Sequence, residues 1–161
     1  SNIFDKTFEI LTSQKLKVVD KDIERPWGGF FVISEDSSQD FSNIYFNDLN
    51  IEKLKVSGKL SPKILIIAPN KRLSWQYDHR RSEIWKVVNG EIKVITSHDD
   101  VERKEKILKQ GDEIYLYKGE RHRIIGLEDY AVVAEIWIHT DKDNPSDEND
   151  IVRIQDDFDR N

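Results

Sequence analysis

Eight short runs of β-branched and aromatic residues follow one another between residues 63 and 139 of this 161-residue chain. Turn-forming pairs such as Asn89-Gly90 and Gly111-Asp112 separate the runs, and the spacing leaves no room for helices to alternate with them. The runs are KILIIA, RLSWQYDH, EIWKVV, EIKVITS, EKILKQ, EIYLYK, HRIIGL and AVVAEIWIH. This pattern predicts an all-β domain of antiparallel strands, closed as a barrel or a jelly-roll sandwich.

Segments with a different residue pattern flank this β-rich region. Phe4, Phe8 and Leu11 are spaced as on one face of a helix, which predicts a short helix near the N-terminus. Between residues 141 and 159 there are eight acids and two bases, which accounts for the whole net charge of −6. The predicted units are an N-terminal extension (1–22), a barrel (23–140) that contains an insertion or lid (35–60), and an acidic C-terminal tail that packs on the barrel (141–161).

Composition excludes several classes of function. The chain has no cysteine, so thiolate nucleophiles, disulfides and cysteine-based zinc sites are excluded. The net charge disfavours non-specific binding to nucleic acid or to an anionic membrane. No apolar run has the length of a signal peptide or of a membrane span, so we expect a cytoplasmic protein.

The segment RLSWQYDHRR carries polar residues in strand alternation. If it is a strand, Ser74, Gln76 and Asp78 share one face with Arg80, and the aromatic residues share the other with His79. The polar face either lies in water or points into the barrel, where side chains two residues apart can hold the same ion. Alternation alone leaves both interpretations open.

Two further spacings resemble the signature motifs of the cupin superfamily. Glu83 and Gly90 match the first motif, and Gly111, Gly119 and His122 match the second. The blocks RPWGGFFVI, PNKRLSWQYDHRRSEIWKVVNGEIKV, KGERHRI and ENDIVRIQDDFDR also resemble, in this order, the cupin domain of type II mannose-6-phosphate isomerases. The resemblance implies a double-stranded β-helix, a divalent metal ion, a sugar-phosphate substrate and a homodimer.

The first motif departs from the family pattern, because Asp78 and Arg80 stand where the family has His. Arg80 cannot bind a cation, but a carboxylate can, so the resemblance leaves Gln76, Asp78, Glu83 and His122 as predicted metal ligands. The extra carboxylate should favour Mn or Fe over Zn, with Co also possible. The alternatives are a metal-free cupin pocket and a strand irregularity that turns His79 inward.

The resemblance also suggests roles in catalysis and in phosphate binding. Glu83, His79 and Arg81 are the predicted catalytic residues; Arg81 and Arg153, with Arg80 and Lys71 as further candidates, would bind the phosphate. The implied reaction interconverts mannose 6-phosphate and fructose 6-phosphate. The alternatives are a non-catalytic cupin that binds a sugar or sugar nucleotide, and a nucleotide-sugar isomerase or epimerase.

Overall fold

The computed structural model describes residues 2–56 and 58–158, which form two antiparallel β-sheets and three α-helices. The helices are α1 (Ile3–Ser13), α2 (Ser38–Tyr45) and α3 (Ile51–Leu54). The strands are β1 (Val18–Arg25), β2 (Gly28–Ile33), β3 (Lys63–Ile67), β4 (Trp75–Asp78), β5 (Arg81–Asn89), β6 (Glu91–Ser97), β7 (Lys104–Lys109), β8 (Glu113–Leu116), β9 (Arg121–Gly126), β10 (Ala131–His139) and β11 (Ile151–Gln155).

The two sheets face each other as a jelly-roll barrel. One has the strand order β1-β2-β3-β10-β5-β8 and the other the order β11-β4-β9-β6-β7. Side chains from both sheets form an apolar core between them, with Ile67, Ile92 and Ile124 fully buried. Each of the eight sequence runs overlaps one of the strands β3 to β10, so the predicted all-β architecture is confirmed.

A second apolar core lies on the outer face of the six-stranded sheet. Helix α1 and the segment of residues 35–60 cover this face, and Phe41, Phe46 and Leu60 are completely buried in it. Because both faces of the sheet are covered, all nine residues of the central strand β10 are buried. The segment of residues 35–60, interpreted from the sequence as an insertion or lid, therefore contributes directly to a core.

Three strands outside the eight runs, β1, β2 and β11, complete the sheets. Strand β1 pairs with β2 and extends from residue 18 to residue 25, across the proposed boundary between extension and barrel. Strand β11 lies in the C-terminal tail and pairs with β4, so Arg153 faces Gln76 across the strand pair. The tail thus becomes part of the five-stranded sheet.

The turn between β1 and β2 requires a glycine. Gly28 has a φ of +138°, and a Cβ atom there would lie 1.9 Å from the carbonyl oxygen of Ile66. This close approach is open to glycine alone, and it holds the hairpin against β3. The hairpin thereby places Arg25 and Trp27 at the cavity described below.

Candidate functional site

A polar cavity opens between the two sheets, beside the apolar interior. It encloses about 660 Å³, including the part open to solvent. Its lining residues come from both sheets and from the C-terminal tail: Arg25, Trp27, Phe30, Lys63, Leu65, Leu73, Ser74, Gln76, Arg81, Glu83, Trp85, Glu135, Trp137, Glu148, Ile151 and Arg153. We call this cavity the cleft.

Asp78, Glu83 and His122 meet in the interior, and all three are buried. One potential ligand atom from each lies within 4.8 Å of the other two. Asp78 ends β4, Glu83 lies near the start of β5, and His122 lies on β9 opposite Gln76. Gln76 lines the cleft, as expected if the polar face of β4 points inward.

His122 presents an unpartnered nitrogen to the two carboxyl groups. Its Nδ1 donates to the carbonyl oxygen of Glu120 at 3.1 Å, which leaves Nε2 as the acceptor nitrogen of a neutral ring. Nε2 lies 3.8 Å from Asp78 Oδ2 and 3.9 Å from Glu83 Oε2, and it is buried with no hydrogen-bond partner in the described chain. A buried group of acceptors of this kind needs a cation or a proton among them.

The donor set fits a divalent metal ion. An imidazole and two carboxylates are ligands that Zn, Mn, Fe and Co accept, and the amide oxygen of Gln76 can supply a fourth. The cluster can therefore hold such an ion.

Arg81 lies against the same carboxyl groups. Its Nε donates to Glu83 Oε2 at 2.9 Å, and Nη2 lies 3.0 Å from Asp78 Oδ1. Nη1 donates to Ser146 Oγ and to the carbonyl oxygen of Asp147. All three nitrogens contact protein oxygens, so Arg81 is directed toward the two carboxyl groups and the tail, and its predicted role in phosphate binding stays a prediction.

Burial and charge give the two carboxyl groups opposite protonation behaviour. Burial, and then the charge of Glu83, raise the pKa of Asp78 to about 9. Burial alone would also raise the pKa of Glu83, but the charge of Arg81 outweighs it and lowers that pKa below its usual value. In the absence of metal the pair therefore keeps one proton at neutral pH, on Asp78. Burial lowers the pKa of His122, so its ring is neutral.

Glu135 connects two indole rings at the wall of the cleft. Its Oε2 accepts from Trp85 Nε1 at 2.9 Å and its Oε1 accepts from Trp137 Nε1 at 2.8 Å. Trp85 Nε1 also donates to Glu83 Oε1 at 2.9 Å, which links this group to the cluster. Burial, and then the charge of Glu83, raise the pKa of Glu135 to about 8.

Trp137 carries two cations on its ring. The guanidinium carbon of Arg81 lies 3.6 Å from the ring centroid, and Lys63 Nζ lies 4.8 Å from it. These contacts stabilise both cations and occupy the ring.

Three basic residues line the cleft in addition to Arg81. Lys63 pairs with Glu148 at 2.7 Å, and Arg25 pairs with Asp22 at 3.1 Å. Arg153 is half-buried, and its Nε has no hydrogen-bond partner within residues 2–56 and 58–158. Arg153 is thus the cleft cation most available to an anionic ligand.

Five residues predicted for the site are not among the described residues that line the cleft. Asp78 and His122 are buried in the cluster with Glu83, which does line it, and the other three lie outside the site. His79 is exposed in the turn after β4, where its backbone N–H donates to Asp150, and it is not turned inward as one alternative supposed. Arg80 pairs with Asp147 at 3.3 Å in the same turn. Lys71 is exposed in the loop before β4. The alternation of β4 directs Gln76 and Asp78 inward, and the turn ends that alternation before residues 79 and 80.

Sequence reasoning missed several residues of the cleft. Glu135 is the single charged residue in the otherwise apolar run AVVAEIW, and a charge at such a position signals either a partner or a site. Arg25 belongs to the block RPWGGFFVI, which the resemblance had already singled out. Lys63 and Glu148 carry no local signal, because only the fold brings β3 and the tail together.

Comparison with known proteins is consistent with this geometry. Residues 43–156, about seven tenths of the chain, match the family described as mannose-6-phosphate isomerase C-terminal. The chain belongs to this family. The predicted cupin relationship is thereby confirmed, and the matched range includes the cluster, most of the cleft and strand β11.

Solved structures support the cupin fold. The capsular polysaccharide assembling protein CapF from Staphylococcus aureus has a TM-score of 0.59 at 15% identity, over 84% of this chain and 34% of that one. Peruvianin-I, a cysteine peptidase from Thevetia peruviana latex, has a TM-score of 0.50 at 18% identity, over 61% and 57% of the two chains. Since this family member has no cysteine, that likeness is one of fold alone.

A sugar phosphate isomerase of the cupin superfamily from Silicibacter pomeroyi is more distant, with a TM-score of 0.44 at 13% identity over 50% of each chain. The family member spans about a third of the length of CapF. No curated protein sequence matches it. Among the described residues, no helix has the length and apolarity needed to cross a membrane.

Proposed function

We propose that the protein is a sugar-phosphate aldose–ketose isomerase, with mannose 6-phosphate and fructose 6-phosphate as its substrate pair. The observation that carries this proposal is a single cleft that combines the carboxyl group of Glu135 with the available cation of Arg153. Such an isomerase needs a phosphate anchor at one end of the substrate and proton-transfer groups at the other. The family match supports the same reaction class.

Arg153, Lys63 and Arg25 anchor the phosphate in this proposal. An arginine binds a phosphate through two parallel hydrogen bonds, and Arg153 has its Nε available for them. Lys63 already holds Glu148, so it adds charge to the phosphate site while its position stays fixed. Binding energy from the phosphate then positions the reacting carbons, which lie at the other end of the sugar.

The cluster of Asp78, Glu83 and His122, with Gln76 beside it, would hold a divalent metal ion. Such an ion would polarise the substrate oxygens and stabilise the negative charge that develops on them. Arg81 keeps Asp78 and Glu83 directed toward His122, and Trp85 fixes the second oxygen of Glu83.

Glu135 is the proton-transfer group in this proposal, in place of His79. Its ionised carboxylate takes the proton from C2 of the aldose, and the electron pair of that C–H bond moves to form the enediolate. The O2 hydroxyl then passes its proton to O1, and the same carboxyl group returns the first proton to C1, which leaves the carbonyl at C2 and gives the ketose. A pKa of about 8 suits both steps, because the group can accept and release a proton near neutral pH.

An isomerase assay with purified protein tests this function. We expect conversion of mannose 6-phosphate to fructose 6-phosphate that a chelator reduces and added Mn²⁺ restores. A thermal shift with mannose 6-phosphate but no conversion would instead indicate a sugar-binding cupin. A shift with nucleotide sugars alone would indicate a nucleotide-sugar isomerase or epimerase. The homodimer that the family resemblance implies is proposed with it, and sedimentation analysis tests that.

A further inference from the structure

Arg81 stands out because it already occupies the atoms that a metal ion would use. Glu83 Oε2 accepts from Arg81 Nε at 2.9 Å, and the same oxygen is the one that faces His122 Nε2 at 3.9 Å. The guanidinium also lies against Asp78 Oδ1 at 3.0 Å. A cation of the protein itself therefore neutralises part of the cluster.

The position of Arg81 is fixed from the other side. Ser146 Oγ accepts from Nη1 at 2.9 Å, and the Trp137 ring lies 3.6 Å from the guanidinium carbon. Arg81 is 4% exposed. If the Arg81 side chain moved away from Glu83 and Asp78, it would also lose its contacts with Ser146 and Trp137.

A divalent ion bound to Glu83 Oε2 would lie close to this guanidinium. Charges of the same sign a few ångströms apart repel strongly where burial reduces screening by water. Binding of the ion therefore either includes the free-energy cost of this repulsion or displaces Arg81 from its partners. Both reduce the affinity of the site for metal.

We propose that Arg81 is a resident cation that competes with divalent metal for Glu83 and Asp78 and so sets the metal affinity of the site. The inference rests on the metal site of the proposed function, and it identifies the residue that regulates occupancy there. Asp78 is part of this arrangement, because a carboxyl group in place of the family's His gives Arg81 a second oxygen partner besides Glu83, at 3.0 Å.

The test measures metal binding without substrate. Wild type and Arg81→Gln are stripped with chelator, dialysed and titrated calorimetrically with Mn²⁺ and with Zn²⁺. We expect Arg81→Gln to bind each metal about tenfold more tightly or better, because a nearby positive charge is gone. The matched control is Arg80→Gln, which removes a neighbouring arginine that pairs with Asp147 outside the cluster, and its affinity should equal that of wild type.

Equal or weaker metal binding by Arg81→Gln would overturn the proposal. If this variant folds only when metal is present, as followed by circular dichroism, the result supports it, since the ion then replaces the lost guanidinium. If Arg81→Gln does not fold at all, Arg81→Lys is tested instead. A lysine cannot contact both carboxyl groups at once, so we expect this variant to bind metal more tightly than wild type does. Unchanged metal affinity in Arg81→Lys would overturn the proposal. Because the titration requires no turnover, an inactive enzyme would leave its result unaffected.

Discussion

His122 Nε2 lies 3.8 Å from Asp78 Oδ2, and both atoms belong to side chains that are nearly inaccessible to solvent. The nitrogen is an acceptor, because Nδ1 of the same ring donates to the carbonyl oxygen of Glu120. Two strands of one sheet, β4 and β9, thus bring two acceptor groups together beside the carboxyl group of Glu83. The expected consequences of this arrangement can be measured.

Replacement of His122 by Ala should remove a metal ligand while the fold persists. We expect metal affinity to fall about tenfold or more, with a loss of about 2 kcal/mol in the free energy of unfolding from the cavity and the lost Nδ1 bond. Calorimetric titration with Mn²⁺ and chemical denaturation check the two effects. His98→Ala is the control, since His98 is exposed in the turn after β6, and it should change neither quantity.

Replacement of Arg153 by Ala should act on substrate binding. We expect KM for mannose 6-phosphate to rise about tenfold or more with a much smaller change in kcat, because phosphate contacts act alike in the ground state and the transition state. Metal affinity should stay constant. Arg103→Ala removes a surface arginine that pairs with Asp99 and should leave KM unchanged. An unchanged KM in Arg153→Ala would exclude Arg153 as the anchor.

Replacement of Glu135 by Gln should remove the proton-transfer group. The amide matches the carboxyl group in shape, but its NH2 cannot accept from the second indole N–H, so we expect a loss of about 1–3 kcal/mol in the free energy of unfolding. The fold should persist, while kcat should fall about 100-fold or more. In wild type we expect kcat to rise with pH through about 8, as the group ionises and becomes a base. Glu105→Gln on the exposed strand β7 serves as the control. A variant that retains the rate and pH profile of wild type would contradict the assignment.

His139 should make stability depend on pH. Its Nδ1 accepts from the backbone N–H of Ser146 and its Nε2 meets Ser61 Oγ, so the structure favours the neutral ring. Burial, and then the charge of Arg81, lower its pKa to about 4. Between about pH 6.5 and about pH 4, His139 is therefore protonated in the unfolded chain but neutral in the folded chain. The free energy of unfolding accordingly decreases as pH falls through this range. Denaturation of wild type and His139→Gln over this range should show a steeper decline in wild type; parallel curves would refute it.

The buried position of Phe46 predicts that residues 35–60 are needed for stability. Phe46 is completely buried in the outer core, and its ring lies 6.1 Å from that of Phe41. Phe46→Ala should cost about 3–5 kcal/mol in the free energy of unfolding, the usual range for a large side chain lost from a core. Ile44→Ala, at a side chain 41% exposed on the same segment, is the control, with a much smaller effect expected. A small effect of Phe46→Ala would restore the interpretation of the segment as a lid.

The strands could be predicted from the sequence because their signals are local. Turn pairs such as Asn89-Gly90 and alternation in segments such as β4 depend on neighbours along the chain. The same alternation predicted an inward orientation of Gln76 and Asp78, as one of two interpretations. The motif spacings added Glu83 and His122, which the structure brings together with Asp78.

The remaining parts of the site depend on contacts between distant segments. Arg81 looks like a free cation in the sequence, but the tail brings Ser146 and the backbone of Asp147 to its guanidinium. His79 lies next to a ligand in sequence, yet the turn that Asp150 stabilises places it outside the cleft. Residues 35–60 appeared to be a polar loop, because the side chains that contact the outer core are a minority among acids, serines and asparagines.

The wall of the cleft that carries Glu148 and Arg153 belongs to the segment after β10 and joins the sheet through β4 alone. A shortened version of this polypeptide that stops after His139 would keep the barrel's central strands and both apolar cores yet lack one side of the binding chamber. Trimming this end would therefore remove a wall of the cleft together with the oxygens that hold the buried Arg81, so the site and the fold around it would be disturbed at once.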